Sequence, residues 1–428
     1  MRCYLGILSL VTAAMLVVLP PTFAEDWPGF RGPTGFGIST DANLPIEWSA
    51  KTGKNIRWST PVEGQGAANP IVWKDRVYVI NVGPNPDGGI PLHQIQAFDA
   101  DSGKRLWKTV VEPGPFKRGE LKGGRGAGYA NATPCTDGER VYALFGSSVL
   151  VAVDVGGKQV WRHDLKPHNY NFEMASSPVL SGDLVIVICG LTKDPRLIAF
   201  KKTTGEIAYD HRLKDTGYCH STPIFAKVKG QTQMLIAASS KEPAPNALQA
   251  FDPASGKRLW WLAGVASTAT PVVVDGHVYF DSGRGSTATF AELGGEGDET
   301  KTRVKWTTKV AESLSSPIIV GDQIFRVHGS GVVVCLSLED GSKIYQERAP
   351  ISSAWASPIA DAKRRIYFAS GGRSAVVEAG DEFKLLAAND LGDGGHAGPA
   401  ASNGRLFIVG DTKLWCIAEP PADRKVLP

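Results

Sequence analysis

The sequence predicts an all-β protein: an eight-bladed β-propeller of four-stranded antiparallel blades, whose last blade is closed by an N-terminal strand. Three observations predict it: a repeated segment, a second marker that recurs at blade-length spacing, and a composition rich in turn residues. The 428 residues include 48 Gly and 28 Pro, and 21% of them are charged. This composition is typical of a chain rich in strands and turns rather than in long helices.

The repeated segment is clearest at residues 97–107, which read AFDADSGKRLW. Residues 250–260 are a near-copy, and residues 152–161 are a copy one residue shorter. Each copy predicts a strand, a tight turn and a returning strand with an aromatic residue, because Gly takes positive φ without steric cost. The alternate carboxylates also suggest a calcium loop, but Val110 stands where such a loop needs a bidentate carboxylate.

The second marker is a small residue followed by proline. It occurs at Asn69-Pro70, Thr133-Pro134, Ser177-Pro178, Thr222-Pro223, Thr270-Pro271, Ser316-Pro317, Ser357-Pro358 and Gly398-Pro399. Successive prolines are 64, 44, 45, 48, 46, 41 and 41 residues apart, which is typical of propeller blades and not of helical repeats. Proline suits the start of a strand beside a channel, where no ladder partner needs its missing N–H.

Each repeat contains two hairpins and therefore four strands. The first hairpin follows the proline, as in residues 71–80 and 318–325, and the repeated segment forms the second. The eighth repeat supplies only three strands before the chain ends. We expect the strand near Trp58 to be the missing one, because pairing the two ends of the chain leaves no open sheet edge in the ring.

The ends of the chain set the predicted boundaries. Residues 1–24 match a secretory signal peptide, with an apolar run that is too short to favour a membrane span. Residues 25–54 form an irregular segment that we expect to pack across a surface, residues 55–418 form one propeller, and residues 419–428 form a tail. Because no Cys follows Ala24 to carry a lipid, we expect an exported, periplasmic or extracellular monomer without a transmembrane segment.

Charge and cysteine usage exclude two classes of function. With 46 basic and 43 acidic residues, the chain lacks the concentrated basic surface that nucleic acid binding requires. Five cysteines follow the signal peptide, and we interpret them as small core residues because no CxxC pair suggests redox or zinc chemistry. They are Cys135, Cys189, Cys219, Cys335 and Cys416. An odd number leaves at least one of them unpaired within a monomer.

The repeated segment fits the pattern Ala-x-Asp-x-x-(Thr/Ser)-Gly-Lys-x-x-Trp and resembles the docking motif of PQQ-like (pyrroloquinoline-quinone-type) β-propeller repeats. The resemblance covers essentially residues 50–418. It implies that the aromatic residue wedges between neighbouring blades and that the Asp braces the turn, since aromatic burial of this kind is a major packing contribution. The structural residues that it assigns are Asp99, Gly103, Trp107, Asp154, Gly157, Trp161, Asp252, Gly256 and Trp260.

The function is predicted to lie on one face of the propeller. Antiparallel strands place the loops before each proline, and the loops between second and third strands, on a face that we call the mouth, and we expect all the long insertions there. The candidate ligand-binding residues on these loops are Arg125, Tyr129, Asn131, Glu173, His220, Lys241, Arg284, Trp355, Arg373 and His396. Since guanidinium groups match carboxylate geometry, the expected ligand is a protein partner or a small anion. The alternative is that these are solvated loop charges and structural histidines.

The resemblance also suggests that the protein could bind a quinone cofactor. The family is similar both to the bacterial outer-membrane-assembly propeller lipoprotein, which carries no quinone, and more distantly to quinoprotein dehydrogenases. This chain has no adjacent Cys pair, and no Glu, Asn and Asp set placed like the calcium ligands and base of those enzymes. We therefore expect a non-catalytic binding or scaffold protein without cofactor or metal, and the alternative is a PQQ- and calcium-dependent dehydrogenase of alcohols or sugars.

Overall fold

The computed structural model describes residues 25–114, 127–165, 175–190, 194–213, 219–239, 247–264, 268–328, 331–352 and 355–420. Eight antiparallel sheets form the blades of a ring around a central channel, which confirms the predicted propeller. The helices of these residues are a 3-10 turn at Ala127–Tyr129 and a single turn, α1, at Thr300–Arg303. None of the described helices is long and apolar enough to cross a membrane.

Strands are numbered in chain order, and each blade runs from an inner strand beside the channel to an outer one. The strands of blade 1 are β2 Ile71–Trp73, β3 Arg76–Gly83, β4 Leu92–Asp99 and β5 Arg105–Val111, and those of blade 2 are β6 Cys135–Thr136, β7 Arg140–Phe145, β8 Val149–Asp154 and β9 Gln159–Asp164. Blade 3 contains β10 Val179–Ser181, β11 Leu184–Cys189, β12 Arg196–Lys201 and β13 Ile207–Arg212, and blade 4 contains β14 Ile224–Val228, β15 Gln231–Ala238, β16 Ala247–Phe251 and β17 Arg258–Ala263.

The second half of the ring repeats this order. Blade 5 contains β18 Val272–Val274, β19 His277–Phe280, β20 Arg284–Glu292 and β22 Val304–Glu312, and blade 6 contains β23 Ile318–Val320, β24 Gln323–His328, β25 Val332–Ser337 and β26 Lys343–Arg348. Blade 7 contains β27 Ile359–Ala360, β28 Arg365–Phe368, β29 Arg373–Glu378 and β30 Lys384–Asp390, and blade 8 contains β31 Ala400–Ser402, β32 Arg405–Val409, β33 Lys413–Ala418 and β1 Ile56–Pro61.

The N-terminal strand β1 completes blade 8, as the sequence predicts. It pairs antiparallel with β33, so that Trp58 lies opposite Cys416 and Thr60 lies opposite Leu414. On the channel side, β31 of blade 8 contacts β2 of blade 1. Both ends of the propeller chain therefore lie in one sheet, and hydrogen bonds between them close the ring.

Neighbouring blades are joined by an outer-strand aromatic that packs on the turn glycine of the next blade. A Cβ at Gly157 would lie 2.6 Å from the ring of Trp107, so only glycine allows this contact. The Trp107 indole N–H also donates to the Val155 carbonyl at 2.9 Å. The same contact recurs between Trp58 and Gly103, Trp161 and Gly205, Tyr209 and Gly256, and Trp306 and Gly341.

The aspartates of the repeated segment accept hydrogen bonds inside their own turns. The Asp99 carboxylate accepts from the N–H of Ser102 at 2.7 Å and from its hydroxyl at 2.6 Å, and these bonds lower the pKa of Asp99. The Asp154 carboxylate accepts from two backbone N–H groups, and the Asp252 carboxylate accepts from the Ser255 hydroxyl at 2.5 Å. Each carboxylate thereby satisfies donors that the turn would otherwise leave unpaired.

Trp260 departs from the docking pattern. It is fully buried, but its indole N–H donates to Gln233 of its own blade at 2.8 Å. In blade 5 the segment between the third and fourth strands is an insertion, residues 293–303, which contains α1 and a short strand, β21 Gly297–Asp298. Strand β21 pairs parallel with β17 and adds a fifth strand to blade 4. This insertion lies on the face opposite the mouth, so the expectation that all long insertions fall on the mouth is wrong.

The five cysteines of the described residues are all buried, and each is unpaired. Cys135 and Cys335, for example, belong to apolar clusters at the blade interfaces. Burial raises the pKa of Cys219 to about 12, so its thiol is neutral at neutral pH. These side chains behave as small apolar residues of the core.

Candidate binding site at the channel mouth

The residues before the eight prolines are joined by hydrogen bonds around the channel. The N–H of Thr133 donates to the hydroxyl of Ser177 at 3.0 Å, and the N–H of Ser177 donates to the hydroxyl of Thr222 at 3.1 Å. The same bond links Asn69 to Thr133, Thr222 to Thr270, Thr270 to Ser316, and Ser316 to Ser357. A short side chain with an oxygen acceptor is needed at each step, which explains why Ser and Thr recur before proline. We call these residues the pre-proline ring.

Gly398 interrupts the pre-proline ring because it has no side chain to accept from Ser357. A Cβ at Gly398 would lie 2.9 Å from the Ser357 carbonyl oxygen. The Gly398 N–H still donates to the side-chain oxygen of Asn69 at 2.7 Å, which joins blade 8 to blade 1. The ring is therefore open at one position, between blades 7 and 8.

The N-terminal segment enters the channel from the face opposite the mouth. The backbones of Trp27 and Val72 in β2 exchange hydrogen bonds of 2.8 and 2.9 Å, and the N–H of Ala360 in β27 donates to the Gly37 carbonyl at 2.8 Å. Residues 27–37 thus cross the channel from blade 1 to blade 7. The sequence predicted packing across a surface, but Trp27 is fully buried. Positive φ at three closely spaced glycines bends the loop sharply enough to enter the channel.

Arg31 carries a buried positive charge into the channel. Its Nη2 donates to the carbonyls of Phe36 at 2.8 Å and Pro317 at 2.7 Å, while its Nε and Nη1 have no partner. Among the described residues no carboxylate pairs with it, and burial lowers the pKa of Arg31 to about 9. The guanidinium remains charged at neutral pH just behind the pre-proline ring. This charge makes the floor of the mouth favourable for anions.

The structure brings two of the predicted mouth residues into contact and places the backbone of a third on a neighbouring loop. Trp355 and His396 precede the prolines of blades 7 and 8, and their ring centroids are 5.8 Å apart. Trp355 is 62% exposed, and His396 is exposed as well. Arg373 begins β29 with an exposed side chain, and its carbonyl accepts the N–H of Ser352 at 3.0 Å. We call Trp355, Arg373 and His396 the mouth patch.

The other predicted residues do not join these three in the described part of the chain. Tyr129 is only 2% exposed, the Asn131 side chain donates to the Gly128 carbonyl at 3.1 Å, and His220 is half-buried at the start of blade 4. These three residues therefore do not join the mouth patch. The remaining residues are Arg284, of which only the backbone is described, and Arg125, Glu173 and Lys241, which lie outside the described residues.

A buried histidine and serine pair joins blades 1 and 2 near the mouth. His93 stacks on Phe145 with ring centroids 4.3 Å apart, and its Nε2 lies 2.5 Å from the Ser147 hydroxyl oxygen. Burial, and then the charge of Arg162, lower the pKa of His93 to about 3. Both side chains are fully buried, so this pair holds the blades together and offers no surface to a ligand. Sequence reasoning missed it because His93 is one polar residue among several in β4.

The described residues supply no calcium site for a quinone cofactor. No group of three His, Cys, Asp or Glu side chains in this part of the chain could hold a metal ion. The hydroxyls nearest the channel already accept hydrogen bonds within the pre-proline ring. We therefore derive no catalytic step through a quinone.

Comparisons with known proteins give the same architecture. Residues 36–190 and 146–382 match the model of a family described as outer membrane protein assembly factor BamB. BamB from Moraxella catarrhalis is 15% identical, with a TM-score of 0.59 over 86% of this chain and 98% of that chain. A europium-containing methanol dehydrogenase is 11% identical, with a TM-score of 0.51 over 92% of this chain and 89% of that chain. At these identities the two structures show the fold alone, and no curated protein matches the sequence.

Proposed function

This chain belongs to the family of the outer membrane protein assembly factor BamB, and from that premise we propose that it is a non-catalytic binding or scaffold protein of the cell envelope. Its mouth would engage a protein partner or a small anionic ligand. The family description, with its outer membrane assembly factor, supports the envelope location. The predicted signal peptide at residues 1–24 is consistent with it.

The mouth patch is the observation that carries the proposal. Trp355 is 62% exposed and lies beside His396, and protein interfaces are enriched in Trp and Arg. Arg373 adds an exposed cation that can pair with a carboxylate of the partner. The buried charge of Arg31 behind the pre-proline ring has the same sign, which supports the choice of an acidic ligand.

The proposal is tested by photo-crosslinking in the native envelope. A photoreactive residue at position 355 should capture one defined partner, and Arg373→Glu should reduce that capture because it reverses the charge. The matched control is a photoreactive residue at Ile207, which is 54% exposed on the outer strand β13. Capture at position 355 no greater than at position 207 would contradict the proposal.

The alternative function is a quinone-dependent dehydrogenase. No described residue group favours it, but a direct assay separates the two functions. The purified protein, supplied with pyrroloquinoline quinone, calcium and an alcohol or sugar, should not reduce an artificial electron acceptor. Reduction that requires all three additions would establish the enzyme and overturn the non-catalytic proposal.

A further inference from the structure

A second candidate site lies between blades 5 and 6, away from the mouth patch. The outer strand β22 of blade 5 faces β24, β25 and β26 of blade 6 across a pocket of about 180 Å³. Its lining includes Thr308, Val310, Arg326, Val334, Leu336 and Lys343. A cavity of this volume can hold one small aromatic ring.

Arg326 is the buried polar group of this pocket. It is 1% exposed, its Nε pairs with Asp281 at 3.1 Å, and its Nη1 donates to the Ala311 carbonyl at 3.1 Å. Its Nη2 is buried and has no partner. Two of the three guanidinium nitrogens are thus anchored to blade 5, while the third lacks an acceptor. A buried donor without an acceptor destabilises the protein, and a ligand oxygen would relieve that loss.

Other bonds hold Asp281 in place behind the guanidinium. The hydroxyl of Tyr279 donates to the Asp281 carboxylate at 3.1 Å, and the N–H of Gly283 donates to it at 2.7 Å. Asp281 is itself 1% exposed. The orientation of Arg326 is therefore fixed before any ligand arrives, as in sites where a supporting carboxylate orients the binding group.

The rest of the lining selects the kind of ligand. Lys343 adds an exposed cation at the rim, and none of the described residues that line the pocket is acidic. Burial, and then the charge of Arg326, lower the pKa of His328, so this imidazole is neutral at neutral pH. Val310, Val334 and Leu336 supply an apolar wall beside the cations. The pocket thus combines a donor for an oxyanion with space for an apolar body.

We propose that the pocket between blades 5 and 6 binds a small organic carboxylate, whose carboxylate group meets Arg326 and Lys343 and whose apolar body packs on Val310, Val334 and Leu336. The carboxylate belongs to a free acid or to the C-terminus of a peptide. The site is independent of the mouth and of the function proposed for it.

The test uses the full mature chain with labelled methyl groups. Titration with benzoate should shift the methyl signals of Val310, Val334 and Leu336 in a saturable way, whereas benzamide, its neutral counterpart, should not. An acetylated peptide that ends in phenylalanine with a free carboxylate distinguishes the peptide source from the free acid. Lys343→Gln should weaken benzoate binding by about 2- to 5-fold, as expected for an exposed ion pair.

Two further variants keep the test decisive. Thr308→Phe should fill the pocket and abolish the benzoate shifts while the protein stays folded, and Lys305→Gln, on the same strand but outside the pocket, should change nothing. Equal binding of benzoate and benzamide, or no saturable shift with benzoate or with the peptide, would overturn the proposal. If inorganic phosphate binds as tightly as benzoate, the claim that the pocket recognises an apolar body is wrong.

Discussion

Burial fixes the charge state of two residues near the channel in opposite ways. Arg31 keeps its charge at neutral pH because the ordinary pKa of arginine is so high that burial brings it down only to about 9. His93 loses its charge because burial moves a pKa that starts near neutrality to about 3. At neutral pH Arg31 is therefore charged and His93 is neutral.

The neutral His93 predicts acid sensitivity. Its pKa rises to about 6.5 on unfolding. Between pH 6.5 and pH 3, His93 is therefore protonated in the unfolded chain and neutral in the folded chain. The free energy of unfolding should therefore decrease as the pH is lowered through this window. His93 should account for roughly 2 kcal/mol of the decrease between pH 7 and pH 5. Urea unfolding at both values, for the wild type and His93→Phe, measures this contribution as a difference.

A control variant separates the charge from the packing. Phe145→Leu removes the ring that stacks on His93 but keeps the imidazole. The free energy of unfolding of this variant should be lower than that of the wild type at both pH values and should change with pH as the wild type's does. If His93→Phe loses as much stability on acidification as the wild type, the assignment of this sensitivity to His93 is wrong.

Single residues of the site were only partly predictable from the sequence. Trp355 and His396 could be placed together because they occupy equivalent positions before successive prolines. Tyr129, which ends the insertion before blade 2, is buried instead, and this depends on the fold around it rather than on its place in the sequence. The burial of Arg31 in the channel could not be predicted, because a single arginine in a glycine-rich segment belongs to no repeat.

At the scale of the blade, the docking aromatic predicts a large packing energy. Trp161 is 8% exposed, and its indole N–H donates to the Lys202 carbonyl at 2.9 Å. Trp161→Ala should lower the free energy of unfolding by about 3–5 kcal/mol, whereas Trp161→Phe, which loses mainly the hydrogen bond, should lower it by about 1–3 kcal/mol. Denaturant unfolding measures both. The exposed Trp355 is the control: a loss for Trp355→Ala as large as for Trp161→Ala would contradict the docking role.

The turn glycine gives an independent prediction at the same interface. Gly157 has a φ of +89°, and an added Cβ would meet the Trp107 ring, so Gly157→Ala combines backbone strain with a clash. Gly230 has a φ of +82° with nothing within 4 Å, so Gly230→Ala introduces the strain alone, about 1–2 kcal/mol. Urea unfolding should show a clearly larger loss for Gly157→Ala. Equal losses would mean that Trp107 does not need the glycine surface.

The blades could be predicted from the sequence because each repeats a local pattern. The pre-proline markers predicted where the inner strands begin, and the turn glycines predicted the outer hairpins. The insertion of blade 5 could not be predicted, since residues 293–303 replace the repeated turn with a segment of their own. The pairing of β21 with β17 depends on the neighbouring blade, which no local pattern contains.

At the scale of the whole molecule, the segment in the channel predicts a pattern of protection. A truncated variant that begins at residue 42 lacks Trp27 and Gly37, whose carbonyls accept the N–H groups of Val72 and Ala360. These two amides should then exchange with solvent much faster than in the wild type. Amide exchange measured by NMR tests this.

The outer strand β13 is the internal control, because none of the backbone hydrogen bonds of residues 27–37 reaches it. Its amides should exchange as before. If Val72 and Ala360 remain as protected in the shortened chain as in the wild type, residues 27–37 do not seal the inner strands.

The pairing of β1 with β33 also constrains the order of events as the protein is made. Strand β1 is made before every other strand of the propeller and its partner β33 is made after them. Trp48 and Arg31 likewise form their hydrogen bonds only after Asn389 and Pro317 have been made. Contacts so distant along the chain slow folding. Until residue 418 has been made, β1 has no partner strand and blade 8 is incomplete, so a chain that stops before β33 cannot close the ring.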